Sequence, residues 1–368
     1  MNSFYAADDE SNIDLREGSI LPYIQKISEN AMLACPVTRF GLEDLEIREL
    51  PIPQTTPGAV LIKVHAVSLN YRDLLMVRGH YNPKLPLPRI PCSDGAGEVV
   101  EVGDDVKAVK VGQRVAGIFM QNWLDGAPTA ERSRGALGGD IDGMLAEYVL
   151  LPQSGVVGVP EHLSFAEAAT LPCAGVTAWN ALTNAGQVKP GDVVLTQGTG
   201  GVSIFALQFA KMMGATVIGT SSSDEKLERV KTLGMNAALN YRQTPEWAKW
   251  VLKETNNRGA DLIVEVGGAG TISQSLQAVR TGGTIAQIGV LSQSDQALPI
   301  APLLHRQVRL QGVYVGSRAH FENMNRAIEA THLRPVVDKI FAFAQAREAL
   351  LTMEKASHFG KIVIQVVA

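Results

Sequence analysis

Cysteine is scarce in this chain of 368 residues, which contains only Cys35, Cys92 and Cys173. The wide spacing of these residues is unlike a disulfide framework and predicts a reducing compartment. The sequence also lacks a large excess of either charge, because the formal net charge is only −4 and there is no basic stripe. A nucleic-acid partner is therefore not expected.

Long apolar runs are also missing from the sequence. The nearest approach to a membrane span, Gly201–Thr220, contains Gln208 and Lys211, whereas a spanning helix needs about 20 predominantly apolar residues. The first 31 residues carry six acidic side chains against Arg16 and Lys26, without a basic leader or a continuous apolar run. This segment is unlike a secretory signal. We predict a polar N-terminal extension (residues 1–31) on a cytoplasmic protein that has no membrane partner.

The hydrophobic content of 46% is enough for a large core, and the length favours two domains. Up to about residue 150 the pattern is one of short strands between glycine turns, as in Ala59–Leu69, Arg114–Ile118 and Ala146–Leu151. From Ser164 onward, helical and strand patterns alternate. That alternation predicts an α/β domain with a parallel sheet wrapped by helices.

The most informative stretch is Asp192–Asn240. A β-branched run, Val193–Gln197, is followed by a turn with glycines at 198, 200 and 201, then an apolar helical stripe and a second strand, Thr216–Thr220. A dinucleotide-binding βαβ unit requires this order, because glycine permits the tight turn and the close approach of a pyrophosphate to the backbone. The helix that follows would direct its N–H groups and dipole at the anion. The alternative is a glycine loop in another α/β protein.

Several motifs occur together in an order that resembles a known family. They are LNYRDLLMVRGHY (Leu69–Tyr81), PCSDGAGEVVEVG (Pro91–Gly103), VGQRVAG (Val111–Gly117), LPCAGVTAWNAL (Leu171–Leu182), GTGGVS (Gly198–Ser203) and HFGKIVI (His358–Ile364). From about Met32 onward the chain resembles the medium-chain dehydrogenase/reductase superfamily, in its zinc-independent branch with quinone oxidoreductases.

The resemblance implies a fold with two domains. A β-rich, chaperonin-10-like (GroES-like) catalytic domain would comprise residues 32–157 and 316–368. A Rossmann domain with a doubly wound parallel sheet, residues 158–315, would be inserted between them, with the active site in the cleft. Homodimers or homotetramers are usual in this family.

The resemblance also implies that zinc is absent. Zinc-dependent relatives place a Cys, a His and a Cys or Asp where this sequence has Asn70, Ser93 and Cys173, and their structural-zinc cysteines fall in a loop that is here Trp123–Asp140, without cysteine. A catalytic zinc site needs Cys, His or carboxylate ligands that Asn and Ser do not supply. Cys173 is interpreted as a small packing residue near the pocket, with a reactive thiol as the alternative.

Without a metal, the oxygen that gains charge during hydride addition needs hydrogen-bond donors. The candidates are the amide of Asn70 and the phenol of Tyr71, which the resemblance places opposite the nicotinamide. The alternatives are that Asn70 only ties its loop together and that Tyr71 only packs. Asp73 completes the candidate catalytic group, although we favour helix capping over proton transfer for its carboxylate.

The substrate pocket is predicted to have an apolar wall formed by Phe119 and Trp123, with packing between protomers as the alternative role of these rings. Arg78 and Tyr81 are predicted at the mouth of the pocket, or else they order the loop.

The cofactor-binding positions follow from the glycine turn and from the resemblance. They are Thr177, Gly198, Thr199, Gly200, Gly201, Val202, Ser221, Ser222, Lys226, Tyr241, Val266, Gly267, Ile288, Gly289, Val290, Phe359 and Lys361.

The second strand of the βαβ unit predicts a preference for NADPH. NAD-binding units end this strand in an acidic residue that binds the ribose 2′-hydroxyl, whereas here it ends in the neutral Ser221. The nearest acid, Asp224, lies in Ser222–Glu225, which is typical of a capping box at the start of a helix. The hydroxyls of the two serines and the charge of Lys226 would bind a 2′-phosphate.

These observations together predict a zinc-independent, NADPH-dependent oxidoreductase that transfers hydride to quinones or α,β-unsaturated carbonyl compounds. Two alternatives stay open. One is an NAD(P)-dependent alcohol or aldehyde dehydrogenase of the same superfamily. The other is a non-catalytic NADPH-binding module whose cleft recognises a partner.

Overall fold

The computed structural model describes residues 30–292 and 297–367, so residues 1–29 of the predicted extension lie outside the described residues. The strands are β1 (Ala31–Ala34), β2 (Arg48–Pro51), β3 (Ala59–Ser68), β4 (Asp94–Val102), β5 (Arg114–Gly117), β6 (Tyr148–Pro152), β7 (Val156–Gly158), β8 (Val193–Gln197), β9 (Thr216–Ser221), β10 (Ala237–Asn240), β11 (Ala260–Glu265), β12 (Val279–Gln287), β13 (Arg309–Gly312), β14 (Val337–Ala342) and β15 (Lys361–Gln365).

The α-helices are α1 (Tyr71–Val77), α2 (Phe165–Ala168), α3 (Val176–Asn180), α4 (Gly201–Met212), α5 (Asp224–Thr232), α6 (Trp247–Glu254), α7 (Ile272–Ala278), α8 (Ala301–His305), α9 (Arg318–Thr331) and α10 (Ala346–Glu354). Turns of π-helix, Leu171–Gly175 and Ala181–Ala185, flank α3 on both sides. Across the described ranges, no helix has the length and apolar character needed to cross a bilayer.

The first large sheet is β-rich and takes strands from both ends of the described chain. Its order is β14-β15-β3-β4-β5-β7, and β6 also pairs with β3. The pairings are antiparallel except that between β14 and β15. Strand β3 pairs with three neighbours, and most of its side chains are buried. This sheet confirms the predicted GroES-like fold.

The second large sheet has six parallel strands in the order β10-β9-β8-β11-β12-β13. Counted along the chain within this sheet, the order is the 3-2-1-4-5-6 of doubly wound dinucleotide-binding folds, whose crevice opens where the order reverses, between β8 and β11. Every residue of β11 is buried, as expected for a parallel strand covered on both faces. The predicted Rossmann sheet is confirmed.

Two elements near the C-terminus have no counterpart in the sequence prediction. Helix α9 buries Phe321, Met324 and Ile328 and packs against α3. Strand β14 is mostly half-exposed or exposed, so it lacks the strict apolar alternation that marks a strand in a sequence. Helix α9 therefore lies in the predicted catalytic segment but contacts a helix of the predicted Rossmann segment.

Candidate active site

The glycine turn after β8 leaves room for an anion. Gly198 has a φ of 68°, a conformation that glycine adopts at no steric cost, and its N–H donates to Thr220 O at 2.7 Å. A side chain added at Gly198 or Gly200 would meet no heavy atom within 4 Å. Gly200 is the N-cap of α4, so the first N–H groups of α4 are available to a phosphate, as predicted from the sequence.

The start of α4 also touches the β-rich domain. The N–H of Gly360 donates to Thr199 O at 2.9 Å, and Phe359 beside it is buried. A Cβ on Gly201 would lie 2.6 Å from Cδ of Lys361. Glycine at position 201 is therefore required by the lysine stem as well as by the turn.

The backbone after β11 is held by a buried carboxylate that the sequence analysis missed. Glu265 accepts hydrogen bonds from the N–H groups of Gly267 and Gly268 at 2.8 and 3.0 Å, and from Nε2 of Gln197 at 2.7 Å. Oε1 of Gln197 in turn accepts from Val266 N and Gly267 N at 3.3 Å. These bonds fix the loop that carries the predicted cofactor-binding positions Val266 and Gly267.

The loop after β12 packs directly on that backbone. The N–H groups of Ile288 and Gly289 donate to Glu265 O at 2.9 and 3.2 Å. A Cβ on Gly289 would lie 1.9 Å from Val266 O, so only glycine fits there. Val290 is 78% exposed. The structure thus brings together the predicted positions at 266–267 and 288–290.

Thr177 is buried on α3, and Val202 is half-buried in the first turn of α4. The two predicted cofactor residues therefore lie on helices that contact each other.

The capping box predicted over Ser222–Glu225 is wrong by one residue. Helix α5 starts at Asp224, and its N-cap is Ser223, whose Oγ accepts from Lys226 N at 3.4 Å. Because a lysine instead of a glutamate stands at the third helical position, no reciprocal side-chain bond forms. Asp224 lies in the first helical turn as predicted.

The side chain of Asp224 is engaged away from the strand end. Its two carboxylate oxygens accept from Nδ2 of Asn240 at 2.7 Å and Nε2 of Gln243 at 2.8 Å. Ser221 is buried, Ser222 is half-buried and Tyr241 is exposed. Amide donors thus hold the nearest acid, while the serines and Tyr241 stand at the ends of β9 and β10.

Lys226 makes a contact that the sequence did not predict. Its ammonium group donates to Ala356 O at 3.2 Å and to His358 O at 2.8 Å, and burial lowers its pKa. One turn further on, the guanidinium of Arg229 lies 3.9 Å from the ring centre of Phe359. Helix α5 is therefore attached to the segment that leads into β15.

A buried lysine lies at the centre of the cleft. Nζ of Lys361 donates to Leu69 O at 2.6 Å and to Oδ1 of Asn70 at 2.5 Å. On the other side of the same amide, Nδ2 of Asn70 is 3.4 Å from Oγ of Ser93. Oγ of Ser93 donates to Oδ1 of Asp94 at 2.7 Å. Both ends of the Asn70 amide are thus engaged by protein groups.

Asp73 caps helix α1 as the sequence analysis favoured. Its carboxylate accepts from Asn70 N at 2.8 Å and from Ser93 N at 3.3 Å. Complete burial raises its pKa to about 6. Burial also raises the pKa of Asp94, whose second oxygen accepts from Cys173 N at 3.0 Å.

These side chains do not fit a zinc ion. Asn70 and Ser93 are neutral and supply none of the Cys, His or carboxylate ligands of a catalytic zinc site, which leaves Cys173 alone among the three positions. The ammonium of Lys361 already occupies the amide oxygen of Asn70. Within residues 30–292 and 297–367, no group of three or more His, Cys, Asp or Glu side chains could hold a metal.

Tyr71 opens helix α1, and its side chain is 44% exposed. Its hydroxyl has no partner among the residues that the structure describes. The catalytic role of Tyr71 stays a prediction, and its phenol is free to reach a ligand.

A pocket of about 100 Å³ lies beside this cluster. Its lining includes Arg72, Met76 and Tyr81 of the β-rich domain, and Tyr314, which follows β13. The hydroxyls of Tyr81 and Tyr314 are 2.7 Å apart, and burial raises the pKa of Tyr314. The sequence analysis missed Arg72 and Tyr314. Tyr314 could have been found, because residues just after parallel strands meet at one edge of the sheet.

The two aromatic residues predicted for the pocket wall differ in position. The ring of Phe119 is buried beneath the pocket, 5.8 Å from that of Tyr314. Trp123 packs instead against His320 and donates through Nε1 to Gly126 O at 2.9 Å. Because both rings are buried within one chain, the alternative of exposed packing between protomers does not apply to them.

The parallel sheet carries a glycine turn with room for an anion, and it contacts a β-rich domain with a polar cleft. This combination defines a dinucleotide-binding oxidoreductase. Comparison with known proteins gives the same class. Two family models match, the alcohol dehydrogenase GroES-like domain over residues 56–161 and the zinc-binding dehydrogenase over residues 201–330. The chain belongs to the medium-chain dehydrogenase/reductase superfamily.

Individual relatives cover nearly the whole chain. A zinc-type alcohol dehydrogenase-like protein of Schizosaccharomyces pombe is 46% identical over 334 residues, 89% of this chain and 96% of the relative. The crystal structure of an NAD-dependent alcohol dehydrogenase aligns with a TM-score of 0.84 and 35% identity, over 91% of this chain and all of the other. The quinone oxidoreductase of Coxiella burnetii aligns with a TM-score of 0.74 and 29% identity, over 92% and 100% of the two chains.

Proposed function

We propose that the protein is a zinc-independent, NADPH-dependent oxidoreductase that transfers hydride to quinones or α,β-unsaturated carbonyl compounds. One observation carries this proposal. At the positions of the zinc ligands, neutral Asn70 and Ser93 belong to a hydrogen-bonded cluster that ends on the ammonium of Lys361. The similarity to a quinone oxidoreductase supports the same reaction class.

The chemistry of the cleft agrees with this assignment. Oxidation of a simple alcohol removes a hydroxyl proton of high pKa, which a bound metal makes feasible near neutral pH. Hydride addition to an enone or a quinone instead builds negative charge on a carbonyl oxygen, which hydrogen-bond donors can stabilise. The cleft offers donors, among them the phenol of Tyr71 and the polar groups around the pocket.

The proposed preference for NADPH rests on the end of β9. Ser221 and Ser222 occupy positions at which an acidic residue would repel a 2′-phosphate. The carboxylate of the nearest acid, Asp224, accepts hydrogen bonds from two side-chain amides. Lys226 lies within one helical turn of the same position. A higher kcat/KM with NADH than with NADPH would refute this preference, and the NAD-dependent relative makes that comparison necessary.

The second candidate is an NAD(P)-dependent alcohol or aldehyde dehydrogenase, which the names of two relatives favour. A panel of quinones, enones, alcohols and aldehydes, assayed in both directions with elemental analysis of the protein, separates the candidates. The proposal expects NADPH oxidation with quinones or enones, retained in a strong chelator. One zinc per chain, lost together with alcohol oxidation, would establish the second candidate. Cofactor binding with an inert panel would indicate a non-catalytic module.

We further propose a homodimer through the β13 edge of the parallel sheet. All four residues of β13 are exposed, and among the described residues only β12 pairs with it. Ile300 and Leu304, in the segment that leads into β13, are 69% and 72% exposed. An edge strand with one unpaired side, preceded by exposed apolar side chains, suits a second copy of the sheet edge. Leu304→Asp should shift the mass measured by light scattering to that of a monomer, and an unchanged mass would refute this interface.

A further inference from the structure

The guanidinium of Arg72 reaches the pocket without a full set of acceptors. Only 10% of its side chain is exposed. One terminal nitrogen, Nη1, donates to Leu137 O at 2.9 Å. Nε is closed off by its surroundings, as are the corresponding atoms of Arg78 and Arg89. The second terminal nitrogen, Nη2, is not closed off in this way and makes no hydrogen bond with the described residues, so it is the donor open to a ligand.

Neighbouring side chains and backbone hold this guanidinium in a fixed position. The rings of Tyr81 and Phe119 lie 5.2 and 4.8 Å from its central carbon. A Cβ on Gly139 would lie 2.2 Å from a terminal nitrogen of Arg72, so a larger residue would displace it. Aromatic faces and a glycine thus hold Arg72 in place, yet neither offers an acceptor for Nη2.

The surrounding charges indicate which acceptor fits. Oδ1 of Asp73 lies 3.8 Å from the terminal nitrogen of Arg72 that binds Leu137 O, and Asp140 lines the same pocket. A ligand carrying a carboxylate would meet the charge of Asp140, whereas Asp73 is fully buried and is not part of the lining. A neutral carbonyl oxygen avoids that repulsion and gains charge only during the reaction. The volume of about 100 Å³ admits the carbonyl end of a ligand rather than a whole drug-sized molecule, which takes about 300 Å³ or more.

We propose that the terminal nitrogen Nη2 of Arg72 is the principal hydrogen-bond donor to the substrate carbonyl oxygen, in a pocket completed by Tyr81 and Tyr314. This inference rests on the proposed reduction of quinones and α,β-unsaturated ketones, and it names the group that polarises them. Asn70 is a weaker candidate, because Lys361 holds its amide oxygen and Ser93 lies 3.4 Å from its nitrogen, which leaves one N–H for a ligand. Tyr71 remains as a second donor.

The electron balance of the step is that of a conjugate reduction. Hydride transfer forms a C–H bond at the electrophilic carbon, oxidises the reduced nicotinamide and moves the C=C electron pair onto the carbonyl oxygen. The enolate, or the hydroquinone monoanion, then takes one proton from water. Arg72 keeps its own proton throughout, because a guanidinium is not deprotonated in proteins.

Two readouts test this role, one of which needs neither cofactor nor turnover. In the first, Arg72→Met is expected to lower kcat for a quinone or enone about 10²- to 10³-fold, as loss of one oxyanion donor does. In the second, 4-nitrophenol is titrated by absorbance in the presence of the protein without cofactor. A nearby guanidinium should lower the pKa of the bound phenol by about 1 to 3 pH units, and Arg72→Met should abolish this effect.

The matched control is Arg78→Met, which removes an arginine from the end of the same helix. Arg78 binds Glu354 at 2.8 Å and does not line the pocket, so its predicted place at the pocket mouth is wrong, whereas Tyr81 does line the pocket. Thermal unfolding identifies variants that do not fold, and Arg72→Lys provides a second substitution at this position.

The outcomes separate this inference from the proposed function. Unchanged kcat in folded Arg72→Met, equal losses in both methionine variants, or a wild-type protein that leaves the pKa of 4-nitrophenol unaltered would overturn the role of Arg72. A protein that reduces no quinone or enone but lowers the phenol pKa through Arg72 would refute the proposed function and support the donor.

Discussion

Replacing Lys361 by methionine is expected to weaken the junction between the two sheets. Methionine keeps most of the stem that packs on Gly201, but it removes the donor of two buried hydrogen bonds, to Leu69 O and to Oδ1 of Asn70. A buried acceptor without a partner costs about 1–3 kcal/mol. Because the two acceptors are neighbours and do not contribute independently, we expect the free energy of unfolding to fall by about 2–4 kcal/mol.

The assay is urea denaturation at several pH values, with Lys339→Met as the control. Lys339 is an exposed lysine on β14, the strand beside β15, and its loss should change stability by less than about 0.5 kcal/mol. The charge of Lys361 lowers the pKa of Asp94 against the effect of burial. The difference between wild type and Lys361→Met should therefore shrink as the pH falls and Asp94 becomes protonated. A loss no larger than that of the control, or one independent of pH, would refute this reasoning.

Three further predictions concern single side chains. Tyr71→Phe should lower kcat more than it raises KM, because a phenol used mainly in the transition state is removed; unchanged kcat would make Tyr71 a packing residue. Lys226→Ala should weaken NADPH about tenfold or more and leave NADH nearly unchanged. It should also lower the melting temperature through its lost bonds to the segment before β15. Lys231→Ala, on the same helix, is the control, and equal loss of both cofactors would contradict the 2′-phosphate role. Burial raises the pKa of Asp73 from 3.8 to about 6, so the folded state binds the extra proton, and stability should decrease by up to about 3 kcal/mol as the pH rises from 4 to 7. Asp73→Asn should remove that component of the pH dependence measured by urea denaturation, and an identical pH dependence would contradict it.

Local patterns in the sequence were enough to predict the cofactor half of the protein. A glycine such as Gly198 can be recognised where a strand changes into a helix, because the turn itself requires φ above zero. The alternation of strands and helices from Ser164 onward also determined the parallel sheet. At the start of α5 the same kind of reasoning was wrong by one residue, because Ser222 and Ser223 are both good caps and their sequence does not decide between them.

The chemistry of the cleft was decided by tertiary structure. Lys361 meets Asn70 across 291 positions of the sequence, and Tyr81 meets Tyr314 across 233. Such contacts depend on how two sheets pack together, and no periodicity within a short segment reports on that packing. In the sequence, Arg72 directly follows the predicted site residues Asn70 and Tyr71. Only the folded chain shows that its Nη2 lacks an acceptor beside the pocket, because burial and hydrogen bonding belong to the surroundings of a residue and not to its identity.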